Sequence, residues 1–234
     1  MKKLQLCLEE VLLIGHYATR SGLKIHLEKV RTVLEMPRPT DVKSLLRFNG
    51  TVQYLAKFLP RLSDMAHPLR QLTRKDAEWV WSETHEKAWS DIKTAISQAP
   101  VLRFYSLRDE DTLQCDASDT GLGAALLQLQ QPVSFASRAL TQTETRYAQI
   151  EKELLAIVFA CEKFDEYIFG RDVVHVETDH KPLALFAMLR QGFSGCYCDF
   201  NATIPRSSTR NVPSCSSQIR SAVHISRKCC PQRK

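Results

Sequence analysis

No run of residues approaches the roughly 20 consecutive apolar positions that a membrane-spanning helix needs, which excludes a bilayer-crossing segment of that kind. Met1-Lys2-Lys3 resembles the start of a leader, but Glu9 and Glu10 interrupt the apolar stretch behind it. The eight cysteines form no disulfide framework: Cys7, Cys115 and Cys161 are scattered, and the other five crowd positions 196–230. The expectation is an intracellular protein, cytoplasmic or nuclear, with reduced thiols and no membrane partner.

Acid is also scarce in one region. Residues 191–234 hold seven Lys or Arg but only one acid, Asp199, so the whole formal charge of +6 sits there and residues 1–190 are neutral. The same 44 residues contain no leucine and only seven Phe, Ile or Val, too few apolar groups to offset the entropy of ordering, so they read as a basic, disordered tail. Cys196, Cys198, His224, Cys229 and Cys230 fit no common zinc spacing.

The amino-terminal part reads as a hairpin followed by helices. Leu4, Leu6 and Leu8 alternate with polar residues, and a second apolar run, 11–14, ends at Gly15-His16. Helical spacing covers 27–34, then 41–59 after the Pro37 and Pro39 break, then 66–72. Lys57, Arg61, Arg70, Arg74 and Lys75 are spread over this bundle, a pattern equally compatible with a solvated surface and with contacts to phosphate. Trp79 and Trp81 read as core anchors ahead of a helix over 83–96.

Between 112 and 179 lie three acids in three different elements: Asp116 in QCDAS, Glu153 in IEKELLA and Asp179 in ETDHKPL. Alternation at Leu113 and Cys115 predicts a strand with Asp116 near its end, and two further strands with close turns predict an antiparallel meander. Tyr147, Ile150, Leu154, Ile157, Cys161, Phe164 and Ile168 predict a helix over 143–168, with Thr143 as its cap. That spacing places Glu151 on the exposed side and Glu153 at the margin of the apolar stripe, aimed at the sheet. A strand over 173–178 follows the long crossover helix; if it lies parallel to the first strand, Asp116 and Asp179 emerge at equivalent carboxyl ends. Each acid alone is most simply a turn-former, a surface acid or a strand terminator; one topology that gathers all three points to a divalent-cation site.

Long ordered segments carry a resemblance. QCDAS with TGLGAALLQ, then FASRALTQTETRYAQIEKELLAIVFACEKF, then ETDHKPL resemble the ribonuclease H domain in the polyprotein of gypsy-type long-terminal-repeat retrotransposons. KVRTVLEMPRPTDVKSLLRF, VQYLAKFLPRLSDMAHPLRQLTRKDAEWVW and APVLRFY resemble the end of palm, thumb and connection of that family. The implied class is α/β (α+β): residues 1–99 as end of palm, thumb and connection, 100–190 as a ribonuclease H-like mixed sheet with a long crossover helix, incomplete at its carboxyl end, and 191–234 as the tail.

The resemblance implies that Asp116, Glu153 and Asp179 match three of four metal-binding carboxylates, which with Mg²⁺ or Mn²⁺ would serve two-metal cleavage of RNA in an RNA:DNA hybrid. It implies that Gly15 and His16 belong to a primer-gripping hairpin, and that Lys57, Arg61, Arg70, Arg74 and Lys75 lie on a thumb that holds hybrid or duplex. No YxDD-type Asp-Asp pair occurs, so DNA synthesis by this chain is not implied, and beyond Asp179 only Asp199 is left for the fourth acid. The alternative reading is a catalytically dead remnant that binds nucleic acid.

Overall fold

The computed structural model describes residues 9–171, 173–178, 199–201 and 221–226, the last two stretches in backbone only. It opens with a three-stranded antiparallel sheet of β1 (Glu10–Leu13), β2 (His16–Thr19) and β3 (Gly22–Ile25). The hairpin joins β1 to β2 through Ile14 and Gly15, both left-handed at φ 46° and 71°, which suits a two-residue turn between twisted strands. Leu4, Leu6 and Leu8, read as the first arm of a hairpin, lie outside the described residues.

Helix α1 (Leu27–Glu35) and helix α2 (Val42–Tyr54) flank the proline break. Asp41 caps α2 by accepting from the Ser44 N–H at 2.6 Å. A 3₁₀ turn (Ala56–Phe58), α3 (Leu62–Met65) and α4 (His67–Gln71) follow, and then the longer α5 (Glu83–Ser97). Leu45, Phe48, Val52, Phe58, Leu69, Ile92 and Ile96 from these elements form one buried core, with Trp79 and Trp81 packed against it. The two tryptophans are therefore anchors, as the sequence predicts.

The second core belongs to a mixed sheet. Strands β4 (Asp111–Ala117), β5 (Gly121–Gln128) and β6 (Gln131–Ala139) form the predicted meander, and β7 (Val174–Thr178) lies parallel to β4 in the register Leu113↔Val176 and Gln114↔Glu177. Helix α6 (Gln149–Lys163) supplies Ala156, Ile157 and Ala160 to the core that Leu113, Cys115, Leu122, Leu126 and Val176 complete. Crossing from β6 to β7 through a helix makes the parallel pairing possible.

The helix predicted over 143–168 is three pieces. A 3₁₀ turn (Glu144–Arg146) precedes α6, and α7 (Asp165–Ile168) follows Phe164. Thr143 caps nothing by its side chain. The reason is local: Arg138 grips the Glu144 carboxylate at 2.8 and 3.1 Å, and Thr141 N–H donates to it at 2.7 Å, which ties the 3₁₀ turn to β6 before α6 can begin. These bonds, the Arg138 pair first, hold the Glu144 carboxyl down at about 2. Helix α6 then starts with Glu151 accepting from the Ala148 N–H at 2.9 Å.

Two short strands fall in the stretch that composition reads as a tail. Strand β9 (Ser221–Ser226) pairs antiparallel with β7, and β8 (Asp199–Asn201) with β9, giving the order β6-β5-β4-β7-β9-β8. The Ala222-Val223-His224-Ile225 alternation is short enough to vanish in an average taken over 44 residues. Among the described residues no helix is long and apolar enough to cross a membrane.

Candidate active site

Strand β4 sets one side of the site. Leu113, Cys115 and Ala117 face α6, while Asp116 alternates with them, is 26% exposed, and forms an ion pair with Arg61. Glu153 is buried at 3% exposure on the sheet-facing side of α6, whereas Glu151 is exposed, as the helical spacing predicts. Gln149 links the two elements: its Nε2 donates to Glu153 Oε1 at 2.9 Å and to the Ala117 carbonyl, one residue beyond Asp116, at 3.0 Å.

Burial pushes the Cys115 thiol up, and the charges of Cys161, Glu153 and Asp116 raise it further. Asp179 lies outside the described residues; the parallel strand leading to it ends at Thr178. Asp199 opens β8, which is separated from β7 by β9. Among the described residues no group of three or more metal-ligating side chains is assembled.

Sequence reasoning missed two neighbours of the site. Lys152 is buried at 5% exposure and reaches Asp119 in the β4–β5 turn at 3.1 Å. Asp64, on α3, accepts from Ser118 Oγ at 2.6 Å and from Thr120 Oγ1 at 3.0 Å. Neither pairing has a local sequence signal, because each joins segments more than 30 residues apart.

The predicted nucleic-acid residues divide. Arg74 and Lys75 are exposed after α4. Arg70 is turned inward and donates to the Ser63 carbonyl, and Arg61 pairs with Asp116. Lys57 lies 5.3 Å from the Phe58 ring, and burial lowers its pKa. His16 is buried, stacked on Tyr54 at 5.3 Å and 5.1 Å from Phe58, while the Tyr54 hydroxyl donates to the Ile14 carbonyl at 2.5 Å and so pins the Gly15 turn.

Burial, with Lys57 and Lys29 nearby, lowers the His16 pKa from 6.5 to about 4. The folded state therefore binds fewer protons there than the unfolded chain. The neutral ring's contribution to stability is full above about pH 6.5 and is lost as pH falls from there towards about 4. Urea denaturation across that window is expected to show a stability slope that His16→Gln flattens.

Residues 81–176 match the family described as RNase H-like domain found in reverse transcriptase. The match takes in α5, strands β4 to β6, α6 and the start of β7. The chain is 34% identical over 200 residues to the retrovirus-related Pol polyprotein from transposon opus of Drosophila melanogaster, covering 79% of this chain and 20% of that one. It is 33% identical over 192 residues to the Pol polyprotein from transposon 297 of the same species, covering 82% and 18%. It is 32% identical over 180 residues to the transposon Tf2-3 polyprotein of Schizosaccharomyces pombe, covering 74% and 14%. The chain thus spans a fifth or less of the length of these curated relatives.

Among solved structures it is similar to a foamy viral protease-reverse transcriptase in complex with RNA/DNA hybrid, with TM-score 0.63 and 23% identity over 69% of this chain and 23% of that one. A complex of the foamy viral enzyme with dsDNA gives 0.62 and 23% over 70% and 35%. At that identity the likeness is one of fold. A β4–β5–β6 meander with β7 parallel to β4 across α6, an acid near the end of β4, a second on α6, and sequence kinship along four-fifths of the chain together lead to one assignment: this chain carries the ribonuclease H-like domain found in reverse transcriptase, and its homologues are retrotransposon Pol polyproteins.

Proposed function

We propose that this chain is the hybrid-cleaving ribonuclease module of a retrotransposon reverse transcriptase, with Asp116, Glu153 and Asp179 as its metal-binding carboxylates. The observation that supports the reading is Gln149, which ties the buried Glu153 carboxylate to the Ala117 carbonyl, one residue beyond Asp116 near the carboxyl end of β4. Carboxylate oxygens suit a hard divalent cation, and Asp116 already attracts a cationic group, the Arg61 guanidinium. Mg²⁺ or Mn²⁺ held there would supply activation of water and neutralisation of charge at the scissile phosphate.

The chain's own residues have distinct tasks. Glu153, buried against the sheet, offers a carboxylate whose direction is set by Gln149. Asp116 offers one from a strand held rigid on both sides by β5 and β7. Arg74 and Lys75 provide exposed charge for a duplex backbone, and such contacts carry no sequence preference. The Gly15 turn and His16 support a duplex-facing hairpin, His16 as the buried prop beneath it.

Incubating the purified chain with Mg²⁺ or Mn²⁺ and a hybrid labelled on its RNA strand tests the reading. Cleavage of the RNA while its DNA partner stays intact supports it. Intact RNA combined with salt-sensitive hybrid binding selects the alternative, a nucleic-acid-binding remnant without catalysis.

A further inference from the structure

Arg61 is one of the few non-glycine residues with left-handed backbone, at φ 50°, and it directly follows Pro60. A bulky side chain adopts that conformation at a cost, so surrounding contacts must hold it there. From α3, directly behind Arg61, Asp64 accepts from Ser118 and Thr120. The Ser63 N–H donates to Ser137 Oγ on β6 at 3.0 Å. Gly121 leaves no room for a side chain, since a Cβ there would collide with Ser63 Oγ and approach Asp64 Oδ1 to 2.7 Å. The segment 61–64 is therefore clamped on the turn that follows Asp116, and the clamp delivers the guanidinium to the Asp116 carboxylate.

We infer that Arg61 is a built-in latch on the candidate metal site, occupying Asp116 in place of a cation until the clamp or the guanidinium is drawn away. This rests on the assignment of Asp116 as a metal ligand. The Arg61 side chain is 63% exposed, so it can swing out without unfolding anything. A duplex phosphate is the chemistry that competes best for a guanidinium. Hybrid binding and metal binding are then coupled through this one side chain, and the coupling is reciprocal.

The test is Mn²⁺ binding to the full chain, followed by calorimetry and by the electron paramagnetic resonance of free Mn²⁺, with thermal melts to establish folding. Arg61→Ala is expected to bind Mn²⁺ about fivefold tighter, the scale of one partly exposed ion pair. Removing a positive charge nearby would do something similar without any latch, so Asp64→Ala decides. Loss of a nearby negative charge alone weakens Mn²⁺ binding, whereas opening the clamp strengthens it. If Asp64→Ala does not fold, Thr120→Val removes one clamp bond with no change of charge and is expected to tighten binding. Added hybrid should raise Mn²⁺ affinity more in the wild type than in Arg61→Ala. Equal affinity in wild type and Arg61→Ala, or weaker binding by Asp64→Ala, overturns the latch and leaves the metal site standing. No Mn²⁺ uptake by either wild type or Arg61→Ala overturns both.

Discussion

Asp116→Asn is expected to lower metal-dependent cleavage of the hybrid's RNA strand by on the order of 10²–10³-fold, the usual cost of removing one charge-stabilising group from a catalytic centre. Asparagine keeps the shape and one oxygen but not the charge that a divalent cation requires. The strand itself should be undisturbed, because Cys115 and Ala117 on either side keep their places in the core. Losing the Arg61 pair costs little stability, since that guanidinium is 63% exposed. The melting midpoint should stay close to wild type while the cleavage rate collapses. Glu153→Gln is expected to follow the same pattern. Glu151→Gln, two positions away on the exposed side of α6, is expected to leave the rate unchanged. Parallel loss in all three variants would show that the glutamates act through the helix rather than through a site, and an unaffected Asp116→Asn would remove Asp116 from the chemistry.

The largest effect on stability is expected at the opposite end of β4. Asp111 is fully buried, and its carboxylate accepts from Arg171 Nε at 2.7 Å, Tyr105 Oη at 3.0 Å and Gln128 Nε2 at 2.8 Å. Arg171 also donates to the Leu107 and Asp109 carbonyls, so one guanidinium ties the segment before β4 to the segment before β7. Burial and the Asp111 bond raise the Tyr105 hydroxyl to about 12, which keeps it a donor throughout the ordinary pH range. Asp111→Ala would leave a largely buried guanidinium, an amide and a phenol without their acceptor. Stranding one member of a buried ion pair costs about 3–5 kcal/mol. With a denaturant slope of about 1–3 kcal/mol per molar urea, the midpoint should fall by at least about 1 M. A shift within error would mean that water replaces the carboxylate at no cost. Because Asp111 starts the strand that carries Asp116 near its other end, such a variant should also lose hybrid cleavage, but through unfolding that added stabilising osmolyte reverses.

The two ends of β4 show how differently the sequence speaks about its acids. Asp116 stands out because QCDAS precedes a glycine-rich turn and resembles a known motif. Asp111 sits in RDEDT, a short run of charged residues; its importance depends on Tyr105, Gln128 and Arg171, the last of them 60 residues away. The same is true of Arg61, whose sequence context says surface cation and whose actual partner is a carboxylate of the candidate site. Arg70 likewise faces inward. The 3₁₀ turn that precedes α6 is held by Arg138 and Glu144, a pair that no periodicity reports.

By itself the sequence determined what is local and periodic: the β4–β6 meander, the inward Glu153 against the outward Glu151, the proline break before α2, and the anchoring role of Trp79 and Trp81. These follow from side-chain periods of 2 and 3.6, which each segment carries alone. Only the tertiary structure decided which charges meet. Asp111 with Arg171, Asp116 with Arg61, and Asp64 with Ser118 and Thr120 are pairings between distant segments, set by how the sheet packs against α3 and α6. An ion pair or hydrogen bond acts over a few ångströms in space and leaves no period in the chain.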